Sequence, residues 1–447
     1  MTVHRRTPPW LFALTGLPYG VPSAFTGVVT PYLERRAGVE VEKIAWFVTL
    51  LFVPSFCQFL YAPVVDYGMQ RKHWLVTMSV LAAACLFIAC QMHIPEDTNV
   101  FLAFAFLAQV FSGLIGSCNG GLMATCMTDA QRGKAGGWYN VGNVAGGGLA
   151  GAAAVYMTGH GSSTTAVGGT LAAMMIVPSL AVLWIDEPLR ERTGTLLAAL
   201  RNLLVEVKDV MWTRAGLTGL LLCLSPVGTA ALANVFSGIA QDYVQHDLAA
   251  ELAKLPADQA ASLLDTKVSE LTSLVQGPIG QGFFALGALG GGLLCDRTNR
   301  RAIYLLSGVL SAIVGFAMAL SPTTRTTFAV GGLAYQLVTG ICYASFTAVV
   351  LETIGKDDRS AATRYSMFTA AGNVAISYVG NVDAHFMTKH GVAGVVASDA
   401  TLNIAGVVVL GLVFWRLGSF GKSRHVEPPP ASPPPPAPEL PVAKIVE

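Results

Sequence analysis

Charge is what this sequence has least of. Asp, Glu, Lys and Arg make up 12% of its 447 residues, against about 25% in soluble globular domains. A soluble globular chain is thereby excluded. With a formal net charge of +1, no basic surface is on offer to nucleic acid. The eight cysteines form no CxxC pair and sit in or beside apolar runs, so they act as small apolar residues rather than as a disulfide frame or metal site. No nucleophile–base spacing, paired mid-run carboxylates or His/Cys ligand set is present, so an enzyme is not expected, nor is a cofactor. A cleavable leader is not expected either: His4-Arg5-Arg6 is basic, but the apolar run from Trp10 is long enough to continue as a span.

What fills the chain is apolar. Hydrophobic residues are 53% of it, in runs separated by short charged clusters; each run is about 20 residues, the length of a helix crossing a bilayer. Backbone groups in lipid must bond internally, which leaves helices as the form such runs take. Twelve are expected, near 10–33, 43–65, 73–93, 99–124, 137–158, 166–185, 215–238, 275–295, 302–320, 327–351, 365–387 and 400–417. With both termini on one side, the far side holds only Arg35, Arg36, Lys43, Lys254, Lys267, Arg325 and Lys389, and the near side the other 21 of 28 basic residues. That threefold bias places both termini in the cytoplasm. Glycine-dense stretches such as 142–151 let helix backbones approach closely.

The chain is a tandem duplication. Asp66 and Asp296 lie 230 residues apart, as do Gly142-Asn143-Val144 and Gly372-Asn373-Val374. So do Met157-Thr158-x-His160-Gly161 and Met387-Thr388-x-His390-Gly391. Two six-helix bundles follow, 1–186 and 215–420. Between them, 187–214 carries Leu196, Leu197, Leu200, Leu203, Leu204, Val207 and Met211 on one helical face, an amphipathic helix for the inner membrane surface, read as a tether or a regulatory contact. Pro22 and Pro226 align at an offset of 204, so the second bundle holds 26 extra residues within the outer segment 241–274. There Leu264, Val268, Leu271 and Val275 keep helical spacing and Pro256 separates two short helices. With six acidic residues against two lysines, this segment reads as a solvated cap, or as a lid over the outer mouth. The last stretch, 421–447, holds nine of the 23 prolines and favours extended, unpacked chain.

The charged loop of each half resembles the signature of the major facilitator superfamily, Gly-x-x-x-Asp-Arg-x-Gly-Arg-Arg. The second copy supplies Gly292, Asp296, Arg297, Arg300 and Arg301, with Asn299 for glycine; the first keeps Asp66, with Arg71 and Lys72 one position late. The resemblance implies a gate in which each aspartate faces the positive N-terminal end of a helix from the other half. A charge cluster that only fixes topology is the plainer alternative. Glu352, seven residues before Arg359, is similar to the superfamily's inner charge network. Within the superfamily, Val53–Pro63 (VPSFCQFLYAP) looks like the LPYxxKFLWAP segment of AmpG-type muropeptide permeases and acetyl-CoA transporters. Gly16–Gly20 and Gly137-Trp138-Tyr139 agree with that branch. Gln58 stands where the branch has lysine, and Gly120 and Ala124 where its fourth helix has aspartates. Its substrate and proton route therefore do not carry over.

A transporter of this kind binds its solute near the midplane between the halves. Polar residues recur at helical spacing on helix 1 (Tyr19, Ser23, Thr26, Thr30) and helix 4 (Gln109, Ser112, Asn119). They recur again on helix 10 (Gln336, Thr339, Tyr343, Thr347) and helix 11 (Asn373, Ser377, Asn381). With Gln58, Asn140 and Asn143 these are the candidates for a solute cavity. Each stripe is equally readable as side chains bonding helix to helix. No lysine or arginine falls mid-span, and an anion would need one, so a neutral or zwitterionic polar solute is expected. Asp383, near the outer end of helix 11, is the candidate for proton coupling, or a solvated helix end. The function expected is secondary transport by alternating access, by a monomer in a bacterial inner membrane, with solute, lipid and protons as partners. An uncoupled facilitator and a non-transporting sensor or scaffold remain the alternatives.

Overall fold

The computed structural model describes residues 7–188, 214–355 and 360–416. The amphipathic linker helix, the proline-rich tail and Arg359 lie outside the described residues.

The described chain forms helices joined by short turns. Helix 1 runs Leu11–Ala24 and continues through a π-helical turn, Phe25–Val29, into Thr30–Arg36. Pro18 and Pro22 remove two backbone donors from it. Helix 2, Val41–Phe56, breaks at Cys57 and resumes as Gln58–Tyr61 and Pro63–Asp66. Helices 3 to 6 are Arg71–Gln91, Thr98–Cys126, Arg132–Gly159 and Thr164–Ser179. Helix 8 is Pro278–Arg297, helix 9 Arg300–Leu320 and helix 10 Arg325–Ile354. Helices 11 and 12 share the run Ala361–Arg416, divided at Gly391, where φ is 64°. Gly161, its partner in the repeat, has φ 74° at the turn between helices 5 and 6. Both hairpins thus turn on a glycine in the left-handed region.

Besides the break in helix 2, the main departures from the sequence expectation lie in helix 7, the outer segment and helix 12. Helix 7 is not continuous over 215–238. It stops at Cys223, leaves helical geometry through Ser225-Pro226-Val227-Gly228-Thr229, and resumes as Ala231–Val235 and Phe236–Asp247. Pro226 lacks an N–H, and Gly228 and Ala230 take positive φ (61° and 57°), so the backbone ladder cannot run through. The outer segment is not simply solvated either. Ala257–Gln276 forms a helix whose Leu271 and Val275 are buried with Phe236, Tyr243 and Phe328. Helix 12 begins eight residues before the expected 400, directly after Gly391, which brings Asp399 inside the helical bundle.

Helix 1 packs most closely on helix 5. A Cβ at Gly20 would lie 1.9 Å from the Asn143 carbonyl oxygen, and one at Gly142 equally close to that of Ala13; backbone meets backbone here, which only glycine permits. The two bundles meet where helix 5 lies against helices 8 and 10, and where helix 11 lies against helices 2 and 4. Among the described residues, seven helices, or eight counting bent helix 2, are long and apolar enough to cross a membrane on length and composition alone. Broken helix 7 and glycine-rich helix 5 span with them as parts of the same bundles. Many large apolar side chains face outward, among them Leu149, Val177, Leu286, Leu320 and Val408. In water such a surface would aggregate; in lipid it is the expected exterior. Trp10, Trp184 and Trp415 are exposed where helices 1, 6 and 12 reach the end bearing Asp66 and Asp296, as interfacial anchors are. The protein is an integral membrane protein.

Candidate functional site

Between the halves lies a cavity of about 130 Å³. Helices 1 and 5 contribute Tyr19, Tyr139, Asn140 and Asn143 to its wall, and the break in helix 7 contributes Ser225, Gly228 and Thr229. Helix 10 adds Tyr343 and Thr347; helix 11 adds Tyr365, Thr369 and Asn373. Among the described residues, no Asp, Glu, Lys, Arg or His lines it. Asn143 and Asn373, partners in the repeat, face it from opposite halves. The Tyr19 and Tyr139 rings lie 6.1 Å apart.

Several of these side chains also tie the halves together. Asn140 Nδ2 donates to the Tyr343 carbonyl at 3.2 Å and to Thr347 Oγ1 at 3.1 Å. Asn373 Nδ2 donates to the Ser55 carbonyl at 3.1 Å. Ser117 and Ser366 hydroxyls meet at 2.6 Å. The remaining candidates lie elsewhere. Gln58 Nε2 donates to the Gly113 carbonyl (2.8 Å) and Ser117 Oγ (3.1 Å), joining helices 2 and 4. Gln109 Nε2 donates to Thr26 Oγ1 at 2.8 Å, and Asn119 exchanges bonds with Thr15 at 2.6 and 2.8 Å, joining helices 4 and 1. Gln336 Nε2 donates to the Val275 carbonyl at 3.3 Å. Thr339 is buried on helix 10, Ser23 is half-buried and Ser377 is exposed, all outside the cavity wall. Of the polar stripes, then, helix 4 serves bonding within one bundle, whereas helices 10 and 11 reach the cavity at their inner portions.

Tyr365, Tyr139 and Tyr304 also line the cavity, although none of them belongs to the polar stripes legible in the sequence. Tyr365 accounts for one departure from the AmpG-type pattern. A Cβ at Gly120 would lie 2.0 Å from its ring, so tyrosine occupies the space a helix-4 aspartate would need.

The basic end is closed by two matching contacts. Asp66 Oδ2 accepts from the Thr363 N–H and hydroxyl, both at 2.8 Å, at the start of helix 11. Asp296 accepts from the Gly133 and Lys134 N–H groups, at 2.8 and 2.9 Å, at the start of helix 5. Each carboxylate therefore sits on the positive end of a helix from the opposite half. Gly133 and Gly292 make the second contact reachable: a Cβ on either would lie 2.5 Å from the other's carbonyl oxygen. Arg71, fully buried, pairs with Asp66 at 2.8 Å. Lys72 enters through its backbone N–H, which donates to Glu187. Arg300 and Arg301 each approach Glu352 at 3.4 Å, and Arg300 also bonds the Asp129 carbonyl across the halves. Arg297 is exposed beyond this group. Sequence reasoning placed Arg132 only in a loop. It is buried, and its guanidinium donates to the Leu351, Gly355 and Ala124 carbonyls at 3.1, 2.9 and 2.8 Å, capping helices 10 and 4 together.

A family model described as Major Facilitator Superfamily matches residues 12–249, more than half of the chain. The chain belongs to the major facilitator superfamily. Solved members of this fold superpose on it at low identity. The human organic anion transporter MFSD10 (TETRAN) is 15% identical, covering 90% of this chain and 100% of its own, with a TM-score of 0.60. The E. coli fucose:proton symporter FucP is 11% identical over 91% and 98%, with a TM-score of 0.62. The proton:xylose symporter XylE, solved with 6-bromo-6-deoxy-D-glucose, is 12% identical over 91% and 94%, also at 0.62. At such identities the likeness establishes the fold, two pseudo-symmetric six-helix bundles.

Proposed function

We propose that the protein carries a neutral, polar small solute through a bacterial cytoplasmic membrane by alternating access, its basic end and both termini facing the cytoplasm. The observation behind this reading is the midplane cavity, walled by both halves and free of charged side chains. Tyrosine faces suit the apolar surfaces of a ring or carbon chain, while Asn140, Asn143, Asn373 and the threonines supply donors and acceptors for hydroxyl or amide groups. An anion or cation would lose its hydration there without a countercharge, a cost of several kcal/mol. A zwitterion would incur it at both ends, so the neutral solute is preferred. The tie to the AmpG-type branch is one of scaffold: Gln58 and Gly120 replace its charged groups, and tyrosine takes the vacated space.

The conformation supports a gate at the basic end. Asp66 and Asp296 each clamp the opposite half, and separation of the bundles on that side must break both clamps together. On this reading the two clamps hold the cytoplasmic side shut.

The test is uptake into proteoliposomes of purified protein, with labelled hexoses, polyols, zwitterionic amino acids and sugar phosphates as probes. Saturable uptake of a hexose or polyol, reduced by Asn373→Ala, is the expected result. Uptake restricted to sugar phosphates or another strictly anionic probe would overturn the neutral-solute reading.

A further inference from the structure

Away from the cavity, the second half buries two carboxyl groups with no cation in contact among the described residues. Asp383 on helix 11 and Asp399 on helix 12 are both 0% exposed. Neither belongs to the repeat: an offset of 230 places Ala153 and Gly169 at the matching positions, so no structural demand of the bundle calls for acids here. The Tyr335 hydroxyl on helix 10 donates to Asp399 Oδ2 at 3.2 Å, and Asn403 Nδ2 donates to the same oxygen at 3.2 Å. Ser398 Oγ lies 2.5 Å from Asp383 Oδ1 and 2.9 Å from the Val395 carbonyl. Asp383 Oδ2 and Asp399 Oδ1 are buried without any partner.

The Ser398 hydroxyl has one hydrogen and faces two acceptors. Both contacts are hydrogen bonds only if Asp383 itself carries a proton and donates. Two ionised carboxyls in one low-dielectric site repel strongly, and each also loses hydration; one shared proton removes most of that cost. The groups facing the pair from its neighbours offer no positive charge. Helix 10 presents Tyr335; helix 9 presents Gly315 against Val396 and Ala400; the outer part of helix 7 presents Phe236 and Tyr243; and the outer helix Ala257–Gln276 presents Leu271 and Val275. Asp242, His246 and Asp247 on helix 7, and His385, Lys389 and His390 on helix 11, lie toward the surface, and Arg325 at the start of helix 10 pairs with Asp247.

The pair is wired to the cavity. Asn403 donates to Asp399 through Nδ2 and accepts the Gly228 N–H through Oδ1 at 2.8 Å. Gly228 sits in the break of helix 7 and lines the cavity. We propose that Asp383 and Asp399 together hold one exchangeable proton, and that Asn403 transmits its presence to the helix 7 break, making this buried pair the coupling site of the transporter. The inference rests on the transport reading above and extends it. In the step itself, water on one side gives a proton to a carboxylate oxygen, forming an O–H bond. After the bundles tilt, that bond breaks and the proton leaves to water on the other side. With the proton gone, the paired charges repel, Asn403 is drawn to the bare carboxylates, and its hold on Gly228 loosens.

Infrared difference spectra of the full-length protein in liposomes, taken between acid and alkaline buffer, read the site without any solute. A carboxylic-acid C=O band that disappears as pH rises, and that is lost in both Asp383→Asn and Asp399→Asn, is expected. A band absent from wild type, or unchanged in both variants, would overturn the proposal. Loss of the band on adding NaCl at fixed pH, with no change on adding choline chloride, would assign the site to Na⁺ and overturn the proton. Should either Asn variant fail to fold, Ser398→Ala keeps both carboxyls and must shift the band. Failure of the transport reading is separable. If no probe enters liposomes while the band titrates, the transport reading falls. If a probe enters with no titrating band, only the coupling site falls. Where a probe is transported, both Asn variants are expected to keep equilibrium exchange while losing accumulation driven by a pH gradient.

Discussion

Two asparagines of similar chemistry have different work here. Asn119 is buried within the first bundle, giving and accepting bonds with Thr15, whereas Asn373 stands in the cavity wall and bonds the Ser55 carbonyl of the opposite half. Removing the first leaves buried Thr15 groups unpaired, at a cost of about 1–3 kcal/mol. Asn119→Ala should therefore lower the unfolding temperature in detergent by several degrees while leaving KM for the transported solute within about twofold. Asn373→Ala should do the reverse, raising KM or cutting the rate about tenfold at nearly constant unfolding temperature. A matched pair of thermal and kinetic measurements checks both; equal effects on the two readouts would erase the distinction. The sequence shows both residues as polar positions on apolar helices and cannot separate them, because helical period fixes the face of a side chain but not which helix that face meets. Gly120 makes the same point: glycine on a crowded helix is visible in sequence, but the Tyr365 ring that demands it comes from a helix some 245 residues later.

Among the elements, the carboxylate caps at the basic end are the clearest coupling of charge to conformation. A carboxylate on a helix N-terminus in a partly buried setting is worth up to about 2 kcal/mol. Asp66→Asn or Asp296→Asn should thus favour the open basic end by about 5–30-fold. A cysteine placed at Ser366, buried at the midplane between the halves, should then react faster with a maleimide applied from that side; unchanged rates in both variants would deny the gate role. The outer helix Ala257–Gln276 makes a second prediction. Its Leu271 and Val275 sit in the same apolar cluster as Phe236 and Phe328, so Leu271→Ala should cost about 2–5 kcal/mol. Asp265→Asn on its exposed face should be neutral. Unfolding in detergent measures both, and a silent Leu271→Ala would return this helix to the status of a solvated cap. The sequence revealed the helical spacing of Leu264, Val268, Leu271 and Val275 correctly but misjudged its burial, since six acidic residues in the segment spoke for water. Of these, Asp258, Asp265 and Glu270 lie on the helix itself and are exposed.

At the scale of the whole molecule, the proposed alternating-access cycle has the two bundles move as bodies about the cavity. Ser117 and Ser366 touch across the midplane with their hydroxyls 2.6 Å apart, close enough for a disulfide to replace the contact. Ser117→Cys combined with Ser366→Cys should, once oxidised, abolish uptake, and a reductant should restore it. Full uptake by the oxidised, verified cross-link would exclude rocking of the halves about this contact.

The architecture was written locally. Span length, the bias of lysine and arginine, and the constant 230-residue offset depend only on how far along the chain residues lie, and the lipid solvent enforces helices on such runs. Left-handed glycines at 161 and 391 carry that repeat into the backbone. What folding alone decided was which polar groups face each other. Helix 7 broke because Pro226 and Gly228 could not sustain its ladder, and the opening let its backbone reach Asn403 and the cavity. Helix 12 started early, so Asp399 met Asp383 through a hairpin no periodicity could register. Such encounters join residues distant in sequence, and their energies come from burial and pairing, which exist only once the bundles have closed on one another.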